Sequence, residues 1–135
     1  MKYLLGSNVC IHVLRKRGNP LVKQRLLRQK RAEVRLCAVV VGELAYGAEQ
    51  SADKVKAYNQ LRPFVAQFRS LPFDPQAAYE FGRIRVAIES SGRPIGPYDL
   101  QIAAIAPVHN LTLVTHNTAE FGRVPGLVLE DWEVP

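Results

Sequence analysis

Short apolar β-type runs recur along this chain with helical segments between them, and that alternation limits its fold more than any other feature. Lys2–Leu5, Val34–Cys37 and Leu111–Thr115 read as strands, with shorter candidates at Leu71–Phe73 and Val128–Glu130. The segments 9–15, 21–30, 40–50, 53–68, 75–91 and 98–106 read as helices. Asn8 is the expected N-cap of the first of these, Pro63 is expected to kink or divide the fourth, and Pro107 to end or bend the last. Strands separated by helices predict an α/β domain, with a central, mainly parallel β-sheet flanked by α-helices. The 135 residues suit a single domain over 1–135. Sheets of this kind place their sites at the carboxyl ends of the strands.

Composition removes several classes. A hydrophobic share of 47% with 22% charged residues is that of a packed globular protein, not of a disordered or fibrous chain. Cys10 and Cys37 are too few for a disulfide framework and lack zinc-site spacing, so a reducing cytoplasm is the expected setting. No apolar run approaches the ~20 residues of a membrane span, and the N-terminus lacks a signal-type apolar stretch.

The formal net charge of +6 is unevenly placed. Lys and Arg crowd positions 15–35, including Arg25, Arg28 and Arg31, while most of the acidic residues follow position 40. A basic block of this kind suits a polyanion such as RNA, an acidic protein partner, or simply a solvated helix face.

The strand ends carry the polar residues. The first strand runs into Gly6-Ser7-Asn8, and the strand at 111–115 into His116-Asn117, with Glu120 one turn on. Asp99 opens the helix after a Gly/Pro loop, and Glu43 sits among Val39, Val40, Val41, Leu44 and Ala45. Glu43, Asp99, Asn117 and Glu120 could converge as hard oxygen donors for Mg²⁺, which could activate water and stabilise charge on a phosphate. Spacing leaves the alternative open that Glu43 pairs with an arginine and Asp99 only serves its helix start.

With these residues marked, the chain resembles the VapC-type toxins, PIN-domain ribonucleases of bacterial toxin–antitoxin pairs. Met1 to Ile11 is similar to that family's strand followed by Asp-Thr-Asn, and Gly42-Glu43-Leu44-Ala45-Tyr46-Gly47-Ala48-Glu49 resembles its second acidic motif. Ile95 to Ala104, around Asp99, resembles the third. Leu111 to Phe121, followed by Val124-Pro125-Gly126-Leu127 and Glu130-Asp131-Trp132, resembles the fourth. The resemblance implies a PIN-like fold and a Mg²⁺- or Mn²⁺-dependent endoribonuclease acting on structured RNA, often tRNA. It also implies a homodimer and a VapB-like antitoxin. Carried over by position, Glu43, Asp99, Asn117 and Glu120 are catalytic-site residues, Glu43 and Asp99 the metal-holding ones, and Ser7 and Asn8 help position the site.

One departure stands out. Where the family has its first metal-binding Asp, this chain has Gly6. A carboxylate is missing from a site that uses charge to hold a cation, which predicts weak metal binding and a large loss of cleavage. Losing one group that stabilises transition-state charge costs about 10²–10³ in rate. The rival to a weakened ribonuclease is therefore a catalytically inactive PIN-fold module that binds antitoxin or RNA without cutting. A nucleotide-binding α/β domain is a third possibility, disfavoured because the chain lacks a Gly-rich phosphate loop.

Other residues attract structural readings. Cys10 and Cys37 read as buried apolar groups, His12 and His109 as structural, and His116 as a solvent-exposed side chain beside Asn117. Tyr46 and Tyr79 read as core or interface rather than as base-stacking platforms, and Trp132 as packing the C-terminus onto the domain.

Overall fold

The computed structural model describes residues 3–135. Five strands form one sheet: β1 (Tyr3–Leu5), β2 (Val34–Cys37), β3 (Arg69–Leu71), β4 (Thr112–Val114) and β5 (Leu129–Glu130). Their order is β3-β2-β1-β4-β5, and every pairing is parallel. The helices between them are α1 (Ser7–Leu14), α2 (Pro20–Leu27), α3 (Ala38–Glu49), α4 (Lys54–Ala66), α5 (Pro75–Glu89), α6 (Pro97–Val108) and the single turn α7 (Thr118–Phe121). A 3-10 turn at Arg31–Glu33 leads into β2. The α/β class with a parallel sheet is thus the observed one. Met1 and Lys2 lie outside the described residues, so the first expected strand is seen from Tyr3.

Central strands buried on both faces are mostly apolar rather than alternating. Leu4, Leu5, Leu36, Leu113 and Val114 are all inaccessible to solvent. Helix α6 is apolar around most of its circumference, and Leu100 and Ile102–Ala106 are buried. That burial carries the helix through Pro107, which sits in its last turn instead of ending it. Pro63 likewise lies inside a continuous α4, where Leu61 and Phe64 anchor the helix to the core. Trp132 is buried and meets Tyr3 edge-on at 5.3 Å, packing the C-terminal segment as expected.

Helix starts differ in instructive ways. Asn19, Asp53 and Asp74 cap α2, α4 and α5 with their side chains. Asn8 does not cap α1. Gly6 holds the N-cap position, in extended backbone, and donates its N–H to the Val114 carbonyl at 3.0 Å. Gly6 is therefore the single residue between β1 and the helix, and Ser7 and Asn8 fall in the first turn.

Candidate active site

All strands run the same way, but the order in which they are added reverses at β1, which has β2 on one side and β4 on the other. At such a switch point the connections leave in opposite directions and open a crevice beyond the strand ends. The structure has a pocket of about 240 Å³ there, lined by Gly6, Ser7, Asn8 and Val9 after β1, Glu43 from α3, Asp99 and Ile102 from α6, and Thr115, Asn117 and Phe121 after β4.

The starts of α1, α6 and α7, the second turn of α3 and the residue after β4 deliver the polar groups. Ser7 Oγ donates to Glu43 Oε1 at 2.7 Å, tying the first turn of α1 to the second turn of α3. Asp99 lies in the first turn of α6, behind Pro97 at the helix start. Asn117 Nδ2 donates to Glu120 Oε2 at 3.0 Å, and the Asn117 N–H donates to Thr115 Oγ1 at 3.0 Å. Glu120 itself is outside the pocket wall, but its charge reaches Asp99.

Asp99 is the electrostatic focus. Burial, then the charges of Glu120 and Glu43, push its carboxyl up to about 6. The start of α6 favours an anion, but partial desolvation and two like charges outweigh it. A carboxylate in this state gains from any nearby cation. The donors are all oxygens, the kind that suits a hard divalent ion such as Mg²⁺. In number they fall short: among the described residues no group of three His, Cys, Asp or Glu side chains is placed to hold a metal ion. Glu43 is turned to Ser7, Glu120 to Asn117, and position 6 contributes no side chain.

Gly6 has the backbone of an ordinary residue, with φ −73° and ψ 165°. A Cβ placed on it would sit 3.0 Å from the Val114 carbonyl oxygen. A side chain there fits once the neighbouring strand yields by a few tenths of an ångström.

The structure thus brings Gly6, Ser7, Asn8, Glu43, Asp99 and Asn117 to one pocket, with Glu120 beside it. Arg25, Arg28 and Arg31 are not part of it. Arg25 Nη1 donates to the Asp131 carbonyl at 2.8 Å, and Arg31 donates to Gln67 and stacks over Phe68. Arg28 is exposed at the end of α2. Arg15 and Lys16 line a neighbouring groove of about 530 Å³ with Ser7 and Glu43.

Two features escaped the sequence reading. Thr115, nearly buried, shapes the turn that aims Asn117; a hydroxyl residue two before an N–H is the local signal of such a turn. His116 is exposed as expected, but its Nδ1 is 2.9 Å from Asp131 Oδ2, a long-range pair that spacing does not reveal. Tyr46 and Tyr79 are 66% and 84% exposed, so neither is core. Cys10 and Cys37 are buried, and burial raises both thiols, Cys37 to about 11. Both are therefore protonated at neutral pH.

Comparison with known proteins agrees with this geometry. The PIN domain family matches residues 3–127. "Ribonuclease VapC2" of Rickettsia felis is 32% identical over 133 residues, covering 98% of this chain and 99% of that protein. "tRNA(fMet)-specific endonuclease VapC" of Shigella flexneri is 35% identical over 132 residues, covering 98% of each. Among solved structures, DNA-bound VapBC from Salmonella typhimurium superposes with a TM-score of 0.90 at 32% identity over 98% of both chains. VapBC2 from Rickettsia felis, bound to a DNA fragment from its promoter, gives 0.89 at 33% identity over 98% and 99%. A shared parallel sheet, a crevice at its switch point and similarity along almost the whole length have one common explanation: the chain belongs to the PIN domain family, in its VapC group.

Proposed function

We propose that this chain is the toxin of a VapBC-type pair and an endoribonuclease for structured RNA, tRNA in particular, weakened by glycine at position 6. The observation that carries the reading is Asp99: a half-buried carboxyl at the switch-point crevice, crowded by Glu43 and Glu120 and pushed up to about 6. Relatives named tRNA(fMet)-specific endonuclease support the substrate class. The chain's similarity to VapBC complexes supports a VapB-like antitoxin as partner, in a homodimeric assembly.

Asp99 and Glu43 would hold the Mg²⁺ or Mn²⁺. A divalent ion in such a site lowers the pKa of bound water and offsets charge developing on a phosphate. Around it, Ser7 fixes the Glu43 carboxylate. Asn117, aimed by Thr115, fixes Glu120 and so sets the negative field at Asp99. Arg15 and Lys16, which line the adjoining groove, supply the positive charge that an RNA backbone needs beside an acidic centre.

The second reading, a PIN module that binds antitoxin or RNA without cutting, is favoured by one observation: the described residues contain no three-ligand group for a metal. One comparison separates the two. This chain and Gly6→Asp are incubated with tRNA and Mg²⁺, with EDTA controls. The expected outcome is EDTA-sensitive cutting by Gly6→Asp, about 10²–10³ faster than by this chain. Equal cutting by both removes the claim that Gly6 weakens the site, and no cutting by either favours the binding module.

A further inference from the structure

The acidic crevice has an aromatic neighbour that its chemistry leaves unused. Tyr46 and Tyr98 are 66% and 62% exposed, and both line a cleft of about 700 Å³ with Val39, Gly42, Glu43 and Gln101. Glu43 is a wall of this cleft and of the acidic pocket alike. The tyrosines come from the same helices as the acidic residues: Tyr46 lies one turn after Glu43 on α3, and Tyr98 immediately precedes Asp99 on α6. Residues three apart share a helix face.

Two details mark the cleft as a built feature. Gln50 Nε2, one turn further along α3, donates to the Tyr46 hydroxyl at 3.0 Å and so gives the exposed ring a partner at its rim. Gly42 lies inside α3, where glycine is unfavourable, yet nothing lies within 4 Å of where its Cβ would be. Close packing therefore does not require glycine there. What it does is leave the cleft floor bare.

We infer that this cleft is a nucleobase subsite, in which an unpaired base next to the scissile phosphate of the RNA stacks on Tyr46 and Tyr98. The inference rests on the ribonuclease reading above. Single-stranded RNA bases are held by stacking on aromatic side chains, with hydrogen bonds to their edges. The Gln101 amide offers both a donor and an acceptor for such an edge. Continuity through Glu43 puts a base in the cleft when its phosphate lies over the acidic pocket. That arrangement selects RNA with a flipped or looped-out nucleotide over continuous duplex.

The test uses fluorescein-labelled RNA hairpins in Mg²⁺, with affinity read by anisotropy and RNA integrity followed on gels. Tyr46→Ala and Tyr98→Ala should each weaken binding by about 5- to 150-fold, and Tyr46→Phe, which keeps the ring, should stay within about twofold. Gly42→Leu, which favours the helix but fills the cleft, should weaken binding without lowering the melting temperature. One abasic position in the hairpin loop should reproduce the loss, and on that RNA Tyr46→Ala should cost nothing more. If this chain binds RNA and the tyrosine and Gly42 variants bind it equally well, the subsite is wrong while the ribonuclease reading stands. The subsite is equally wrong if the variants change only sedimentation mass or antitoxin binding, since the face then belongs to a protein. If neither this chain nor Gly6→Asp binds RNA, the ribonuclease reading falls and the subsite with it.

Discussion

Ser7 and Glu43, 36 residues apart in the chain, are joined by a 2.7 Å hydrogen bond across the crevice. The bond answers the question that a carboxylate among valines raises: what keeps it oriented. Hydrogen bonds to charged groups contribute about 1.5–3 kcal/mol when enclosed and less when partly solvated. Ser7→Ala should therefore cost about 1 kcal/mol, read as a lower midpoint in urea unfolding. In a Gly6→Asp background it should also slow RNA cutting, because Glu43 loses its orientation. Unchanged cutting would mean that Glu43 needs no positioning by Ser7.

Asp99 yields a prediction with a definite pH window. Its folded value of about 6 lies above the ordinary 3.8. A group whose folded pKa is raised contributes its stability below the unfolded value and loses it as pH rises through the folded one. At neutral pH ionised Asp99 thus strains the fold. Asp99→Asn should raise the melting temperature above pH 6, by the equivalent of about 1 kcal/mol after allowing for solvent screening. The advantage should disappear below pH 4, and the same variant should abolish cutting in the Gly6→Asp background. Melting curves of both proteins from pH 4 to 8 check the sign; an Asn variant less stable at pH 7.5 would contradict it.

The same crowding predicts a response to metal. A cation that binds the folded chain stabilises it in proportion to its occupancy. Mg²⁺ should raise the melting temperature of this chain slightly at pH 7.5 and not at pH 5, where Asp99 is mostly protonated. Gly6→Asp should show a larger rise, and EDTA should reverse both. Calorimetric titration of Mg²⁺ into the two proteins gives the same comparison without relying on activity.

How much of this is legible in the sequence varies with the kind of fact. The span 34–37 is a strand with the expected bounds, because an apolar run between a basic turn and a helix leaves few alternatives. Helix ends are less legible: α1 begins at Ser7 because Gly6 bonds to Val114, a contact 108 residues away that no local pattern encodes. Helix α7 is a single turn, too short for periodicity to show. The acidic and polar residues at strand ends do meet, since a parallel sheet brings all its carboxyl ends to one edge. Which of them face one another, and that Glu120 stands outside the pocket wall, depends on the strand order 3-2-1-4-5. The roles of Arg25 and Arg31 are hidden for a similar reason, as their partners Asp131 and Gln67 lie far along the chain.

His116 and Asp131 form the exposed counterpart of the Ser7–Glu43 bond, at the other rim of the site. The hydrogen bond to Asp131, then the charges of Glu133 and Asp131, raise the His116 imidazole above its ordinary value. Asp131→Asn should bring it back down, seen as a shift of the His116 titration in NMR spectra. By linkage, the contribution of the pair is complete below the ordinary histidine value and is lost as pH rises through the raised one. Any stability difference between Asp131→Asn and this chain should therefore be larger at pH 5.5 than at pH 8.

The basic segment divides into structural and free charges, and that division can be measured. Arg25 ties α2 to the C-terminal segment through the Asp131 carbonyl, whereas Arg28 is exposed at the end of the helix. Arg25→Ala should lower stability by about 1 kcal/mol, because it leaves a partly buried carbonyl without its donor. Arg28→Glu should leave the urea midpoint unchanged. If the segment serves RNA, Arg28→Glu should weaken hairpin binding and flatten its dependence on salt, because fewer counterions are released on binding. Arg15→Glu, beside the groove that Ser7 and Glu43 enter, should do so more strongly. Equal salt slopes for all three proteins would assign the basic face to solubility or to the antitoxin, and would confine RNA contacts to the crevice and its aromatic neighbour.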